Sequence, residues 1–205
     1  MSDDQPTVAL PSTVRRLDSP KAAALGDLTA RFDDMQTVLR CCEQLVSALA
    51  AAGEADEAVV EAVWTTALLS YARCFAVGEP GVALTEEDLT ATLENDEVLG
   101  WHKALMQLRE HYADPSTNPR ERFSVGAAQD AEGAVSGVAI TSTRQPLVDD
   151  LTVRQTGAIA FALSGLVNDR IAAQQQQVYD EVRGLSPADL EKFDLLEVVQ
   201  PDQGR

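Results

Sequence analysis

Apolar residues recur every three or four positions through four long stretches of this chain, and this spacing constrains the fold more than any other feature. In the first stretch the series starts after Pro20 and stops at Gly53. The 3.6-residue period of an α-helix places such a series on one face. The stretch is therefore predicted to be a long amphipathic helix, whose apolar positions are Leu25, Leu28, Phe32, Met35, Leu39, Cys42, Val46 and Leu49.

Three further helices are predicted from the same period and from their boundary residues. The second has a wide apolar face, which indicates contacts with more than one neighbour. The third starts at a capping box, Thr85 to Asp88, and ends at Asp114, because a residue that precedes proline disfavours the helical conformation. The predicted spans are about 56–77, 85–114 with a pause near residues 95–96, and 149–183.

The period changes from three or four to two between residues 118 and 144. Apolar residues alternate there with polar or small ones on both sides of a turn at residues 130–133. Alternation of this kind predicts a β-hairpin at about 120–144. Two strands alone are only marginally stable, so the hairpin is expected to lean on a helix. The alternating residues are Phe123, Val125 and Ala127 before the turn, and Val138, Ile140 and Ser142 after it.

These elements indicate a mainly α fold in one domain with tails. Residues 1–17 contain prolines and no apolar period, and they are predicted to be a flexible N-terminal tail. Residues 18–184 hold the helices and the hairpin. Residues 185–205 are predicted to be a short helix followed by a C-terminal tail.

Charge and cysteine content narrow the class of protein. The 205 residues include 16 Lys or Arg and 33 Asp or Glu, which gives a formal net charge of −17. A surface this acidic repels phosphate backbones and anionic lipid, so nucleic-acid partners are disfavoured and no membrane partner is expected. The three cysteines are odd in number and do not imply a disulfide framework. With an N-terminus that resembles neither a signal peptide nor an anchor, a cytoplasmic protein is expected.

A cluster of polar residues around the end of the third helix is the best candidate for chemistry. Arg109 and His111 lie in its last turn, and Asp114 follows just past its end. An arginine, a histidine and a carboxylate together can polarise a phosphodiester and shuttle protons. The alternative is structural: Arg109 pairs with Asp114 or Glu121 and ties the helix end to the loop. Ligand or partner binding is a third interpretation.

Four further residues are candidates for a ligand groove or for such a latch. His102 lies two helical turns before Arg109 and shares its face. The sequence contains no phosphate-cradling glycine loop, no paired CxxC and no HExxH. Two histidines without matched cysteines make a weak metal site, so neither a metal nor a cofactor is expected. The candidate ligand or latch residues are Arg73, His102, Asn118 and Glu121.

Several short motifs follow one another in this region. They are the run from Trp64 to Phe75 with Gly78, then His102, Leu105, Leu108 and Arg109, then His111 to Asp114, and then Asn118 to Glu121. Together these motifs resemble a bacterial branch of the HEPN superfamily, small helical proteins found among toxins and phage-defence proteins. The resemblance covers roughly residues 20–183 and is clearest at the two central helices and the loop that follows.

The resemblance implies an up-down four-helix bundle with a β-hairpin insertion between the third and last long helices, in a homodimer. Active members are metal-independent ribonucleases, whose site is an arginine followed after four to six residues by a histidine. Arg109 matches the arginine, whereas the histidine position falls on Asp114, and His111 is too close to Arg109. Aspartate titrates near pH 4 when unperturbed, so an ionised Asp114 would repel the scissile phosphate.

Three hypotheses follow for the function. The first is a non-catalytic, HEPN-like binding or interaction protein that acts as a homodimer. The second is a ribonuclease of the HEPN type that uses Arg109 with His111. The third is a structural or regulatory helical protein unrelated to that superfamily.

Overall fold

The computed structural model describes residues 13–51, 56–78, 81–93 and 97–197, and within these the chain is mainly helical. The prediction of a mainly α fold is therefore confirmed. In chain order the elements are β1 (Val14–Arg15), α1 (Pro20–Ala50), α2 (Glu57–Cys74), α3 (Glu86–Thr92), α4 (Glu97–Ala113), β2 (Glu121–Gln129), β3 (Val135–Arg144), α5 (Asp150–Val182), α6 (Pro187–Leu190) and β4 (Leu195–Leu196).

Short polar side chains determine where the helices begin. Ser19 accepts a hydrogen bond from the backbone of α1 and precedes Pro20 at the first helical position. Thr85 and Asp88 form the predicted capping box of α3, and Asp149 caps α5. The predicted pause near residues 95–96 lies outside the described residues, with α3 ending before it and α4 beginning after it.

Helix α1 lies between α2 and α5 and packs along both, while α4 packs mainly on α2. Gly157 allows the close approach of α5 to α1, because a Cβ there would sit 3.4 Å from the Cβ of Cys42. Trp101 on α4 donates a hydrogen bond of 3.4 Å to Thr156 on α5. The largest fully buried apolar side chains are Tyr71, Met35, Leu45, Leu68, Leu89, Leu105 and Leu163.

Strands β2 and β3 form the predicted hairpin, with Glu121 paired to Arg144 at its base and Val125 paired to Ile140 near its middle. The connection turns at Gly133, whose φ of +87° is one that L side chains rarely adopt. Asp130 supports the turn by accepting hydrogen bonds from two backbone N–H groups of residues 132 and 134.

Beyond its base, the hairpin does not lean on any described helix, contrary to expectation. Its strands contact each other extensively but make no comparable contact with any described helix. Residues directly paired across the strands share a face, so one face carries the apolar series predicted from the alternation. That face is open to water along its length, with Phe123, Val125, Val138 and Ile140 all exposed.

The two ends of the described chain meet. Strands β1 and β4 pair in antiparallel fashion, and Arg15 donates a hydrogen bond of 2.7 Å to the backbone oxygen of Phe193. The predicted N-terminal tail reached residue 17, so its last residues make a contact that the sequence analysis missed. Residues 1–12 of that tail, and residues 198–205 of the predicted C-terminal tail, lie outside the described part of the chain.

Candidate functional site

A cleft of about 830 Å³ lies where the hairpin joins the helices. Its walls come from the start of α2, the end of α4, the loop into β2 and the segment that follows β3. Two of the predicted ligand or latch residues, Asn118 and Glu121, lie in its wall. The lining residues are Asp56, Glu57, Ala58, Glu61, Tyr112, Asn118, Pro119, Arg120, Glu121, Arg144, Gln145, Pro146 and Leu147.

Two arginines hold the base of the hairpin against α2 across this cleft. The Nε of Arg120 lies 2.7 Å from Oε2 of Glu61, which is largely buried. On the other strand, Nη1 of Arg144 lies 3.0 Å from Oε2 of Glu57, and its Nε lies 3.5 Å from Glu121. These contacts fix the base of the hairpin, while its strands extend beyond them.

Asn118 and Tyr112 shape the floor of the cleft. The side-chain oxygen of Asn118 accepts hydrogen bonds from the backbone N–H groups of Arg120, at 2.9 Å, and Glu121, at 3.4 Å. This Asx turn directs the chain from the loop into β2. Tyr112 is half-buried, and burial followed by the nearby Glu61 raises the pKa of its phenol. The phenol therefore stays protonated near neutral pH.

The balance of charge in the cleft is negative. Four carboxylates line it, those of Asp56, Glu57, Glu61 and Glu121, against the guanidinium groups of two arginines. Asp56 caps α2 by accepting a hydrogen bond of 3.0 Å from a backbone N–H. Both arginines are already paired with carboxylates. The cleft therefore offers little attraction to a phosphate group.

The structure does not gather the three predicted catalytic residues into one hydrogen-bonded group. Asp114 accepts two hydrogen bonds from Ser116, at 2.8 Å from its backbone and 2.7 Å from its hydroxyl. These bonds hold the pKa of Asp114 below its usual value. His111 is exposed, with its ring edge-on to Tyr112 at 6.2 Å. Among the described residues, Arg109 has neither a hydrogen bond nor an ion pair.

His102 lies in the core, separate from the cleft. Its Nδ1 is 3.0 Å from the hydroxyl of Tyr71, and its ring packs against Phe75 with the centroids 4.3 Å apart. Burial lowers the pKa of His102, and Lys103 adds to the effect, while Glu86 opposes it. A neutral imidazole that is only 6% exposed cannot reach a substrate at the surface. Its contacts join α4 to α2.

Arg73 also joins two helices and lies outside the cleft. Its guanidinium makes a bidentate pair with Asp34 of α1, with Nε 3.0 Å from each carboxylate oxygen. The same group donates a hydrogen bond of 2.8 Å to the hydroxyl of Ser70. The bond to Asp34 raises the pKa of Arg73 above its ordinary value. This pair ties α2 to α1 near the end of α2.

Ion pairs tie the helices to the loop, but through other residues than those predicted. The predicted pair was Arg109 with Asp114 or Glu121, whereas the pairs observed are Arg120 with Glu61 and Arg144 with Glu57. A signal was present in the sequence, because Glu57 and Glu61 are four residues apart and share one face of α2. Their partners are more than fifty residues away, and helical spacing does not reveal them.

Within the described residues, no group of three or more His, Cys, Asp or Glu side chains is placed to hold a metal ion. None of the described helices is both long enough and apolar enough to cross a membrane.

Comparison of this chain with protein-family models, with curated proteins and with solved structures finds no match. Any proposal about function therefore rests on the residues and their geometry.

Proposed function

We propose that this chain is a non-catalytic interaction protein of the HEPN-like type that acts as a homodimer. The observation that carries the proposal is the apolar face of the hairpin, which is exposed although the helices bury a full core. Exposed apolar patches of this kind mark interaction sites in soluble proteins. In this proposal α1, α2, α4 and α5 form an up-down four-helix bundle, supported by the packing of α1 on α2 and α5 and of α2 on α4.

The chemistry around Arg109 supports the absence of catalysis. A proton shuttle at the position of Asp114 would need a group that titrates near neutral pH. Hydrogen bonds from Ser116 instead lower the pKa of Asp114, which keeps it ionised and unfavourable for an approaching phosphate. His102, the second histidine of α4, is buried against Tyr71. The net charge of −17 further weakens attraction for RNA.

A second candidate function is a metal-independent ribonuclease that uses Arg109 and His111. One observation favours it: Arg109 has no hydrogen bond or ion pair with any described residue, and His111 is exposed in the last turn of α4. In a homodimer these two side chains remain free to meet their copies. The exposed ring of His111 is then the only proton shuttle that the described residues of α4 offer.

One assay separates the two candidates. The purified protein is incubated with an unstructured RNA oligonucleotide in the presence of a metal chelator, beside the Arg109→Ala and His111→Ala variants. We expect no cleavage by any of the three proteins. Cleavage by the wild type that both variants lose would reject the non-catalytic proposal in favour of the ribonuclease.

The homodimer is tested separately by light scattering over a range of protein concentrations. We expect a mass close to twice that of the chain at high concentration, falling on dilution. A mass of one chain at every concentration would contradict the homodimer and would leave an interaction with a different protein as the function to examine.

A further inference from the structure

Two exposed apolar surfaces have no partner among the residues that the structure describes. The first, here called the hairpin face, is the side of β2 and β3 that carries Phe123, Val125, Val138 and Ile140. The second, here called the α5 seam, is the exposed side of the first half of α5. It carries Leu151, Ala158, Phe161 and Gly165.

The hairpin face is a continuous apolar surface in water. Its four large side chains are 56%, 72%, 77% and 72% exposed, from Phe123 through Val125 and Val138 to Ile140. The opposite face of the same strands carries small and polar residues, such as Ser124 and Thr141. With a rise of about 3.3 Å per residue, the four side chains lie along roughly 13 Å of the strands. An apolar patch that a monomer leaves exposed is often an interaction site.

The α5 seam carries two large apolar side chains, two small residues and, between Leu151 and Ala158, the exposed Arg154. Leu151 and Phe161 are 64% and 72% exposed, and Ala158 and Gly165 lie on the same side of the helix. A Cβ added at Gly165 would meet nothing within 4 Å, so the surface there is open. At about 1.5 Å per residue the seam is roughly 21 Å long, enough to cover the apolar part of the hairpin face. Small residues between large ones allow a sheet to lie close to a helix.

The distribution of charge on the chain favours contact between these two surfaces of two copies. The chain carries a net charge of −17, so most of its surface repels a second copy. The two surfaces are exceptions. Residues 122–129 and 135–143 contain one charged residue, Arg122, and residues 151–168 contain one, Arg154. Arg154 is already paired with Asp150 at 2.6 Å. Asp150, at the start of the seam, is neutralised by this pair, so contact between the two surfaces brings no unpaired acidic side chain together.

We infer that the hairpin face of one copy packs on the α5 seam of a second copy, and that the reciprocal contact completes a two-fold dimer. This inference rests on the proposed homodimer and names its interface. In this dimer the two strands of each hairpin pack on a helix of the other copy, which gives them the support that an isolated hairpin lacks. The contact also removes both apolar surfaces from water. A two-fold arrangement forms the contact twice, so two modest contacts add together toward the roughly 1,200 Å² at which specific interfaces begin.

Paired variants test each surface with the same added charge. Val125→Glu places a carboxylate on the hairpin face, and its control Ser124→Glu places one on the opposite face of the same strand. Phe161→Glu disrupts the α5 seam, and its control Gln175→Glu adds a charge to the exposed second half of α5. Light scattering and sedimentation measure the dimer dissociation constant, and circular dichroism checks that each variant keeps its helices.

We expect Val125→Glu and Phe161→Glu each to weaken the dimer about tenfold or more. The two control variants should stay within about threefold of the wild type. Loss of the dimer in only one of the two test variants would overturn the inference in favour of a contact between two hairpins or between two α5 helices.

A cross-linking experiment tests the contact directly. Ile140→Cys and Ala158→Cys are prepared separately, mixed and oxidised, with the native cysteines buried in the core. We expect a mixed disulfide between the two variants, and none when Thr141→Cys, on the opposite face of the hairpin, replaces Ile140→Cys. Equal cross-linking from both sides of the hairpin would contradict the inference.

The outcomes also separate this inference from the proposed function. A dimer that is insensitive to both Val125→Glu and Phe161→Glu overturns the interface and leaves the homodimer standing. A wild-type protein that is monomeric at every concentration contradicts both the interface and the homodimer. RNA cleavage bears only on the non-catalytic role.

Discussion

The helix pair α2 and α4 and the hairpin of β2 and β3 have equally regular apolar patterns, but only the helix pair is buried. In the helices Tyr71, Leu68 and Leu105 are almost fully removed from water. In the hairpin Val125 and Ile140, paired at the middle of the strands, remain largely exposed. An amphipathic pattern thus shows which face an element would bury, whereas the presence of a covering surface depends on the rest of the fold.

The two regions also differ in how they use polar residues. Between α2 and α4, a buried hydrogen bond of 3.0 Å joins Tyr71 to His102. At the base of the hairpin, the exposed guanidinium groups of Arg120 and Arg144 pair with glutamates of α2. Buried hydrogen bonds contribute to stability mainly because leaving one group unpaired is costly. Exposed ion pairs contribute little, so they position the hairpin more than they stabilise it.

The largest expected effect on the free energy of unfolding comes from a substitution in the core. Leu163→Ala removes a fully buried side chain of α5 and should lower the free energy of unfolding by about 2–5 kcal/mol. In protein dilute enough to be monomeric, Leu151→Ala on the same helix removes an exposed leucine and should change the free energy of unfolding by no more than about 0.5 kcal/mol. Urea denaturation of both variants measures the difference. Similar losses in the two would show that Leu151 is covered.

A smaller effect is expected from the buried hydrogen bond. Tyr71→Phe leaves Nδ1 of His102 without its partner and should lower the free energy of unfolding by about 1–3 kcal/mol. The matched control is Tyr179→Phe, which removes the hydroxyl of an exposed tyrosine on α5. Denaturant-induced unfolding of both variants measures the difference in free energy. An unchanged free energy in Tyr71→Phe would mean that this hydrogen bond does not stabilise the core.

The same histidine should make stability depend on pH. Its pKa is lowered in the folded protein because burial disfavours the charged imidazole. The unfolded chain therefore binds the proton more readily than the folded chain, and stability falls as the pH drops below about 6.5. The free energy of unfolding, measured by denaturant at several pH values between about 7.5 and about 5.5, should show this decline.

Replacement of His102 should flatten that decline. His102→Gln removes the buried titrating group, and His111→Gln, which removes the exposed histidine of α4, is the matched control. A slope that is the same in His102→Gln as in the wild type would assign the pH dependence to other groups.

The smallest effect is expected from removing the hairpin itself. Replacement of residues 122–143 by a short Gly-Ser linker keeps Glu121 and Arg144 at the base and removes the exposed strands. Because these strands support no described helix, Tm should move by no more than about 4 °C. The measurement is made on dilute protein, since dimerisation would add its own stability. A large loss of helical signal would show that the hairpin belongs to the core.

Much of the fold could be predicted because the sequence patterns that specify its helices and strands involve residues only a few positions apart. Ser19 with Pro20, the capping box at Thr85 and Asp88, and Asp149 start helices through contacts within one turn. The alternation around Val125 and Val138 places the strands in the same way. The candidate site was less predictable, because its ties join residues far apart in the chain, such as Glu61 with Arg120.

The sequence by itself determined the helices, the hairpin and its apolar face, since periodicity and capping act over a few residues. Only the tertiary structure decided that His102 is buried against Tyr71 and that Asp114 accepts a hydrogen bond from Ser116. It also decided that no described helix covers the apolar face of the hairpin. Those outcomes depend on which surfaces meet across the fold. The physical reason is that a side chain's environment is set by neighbours distant in the chain, which short-range patterns do not specify.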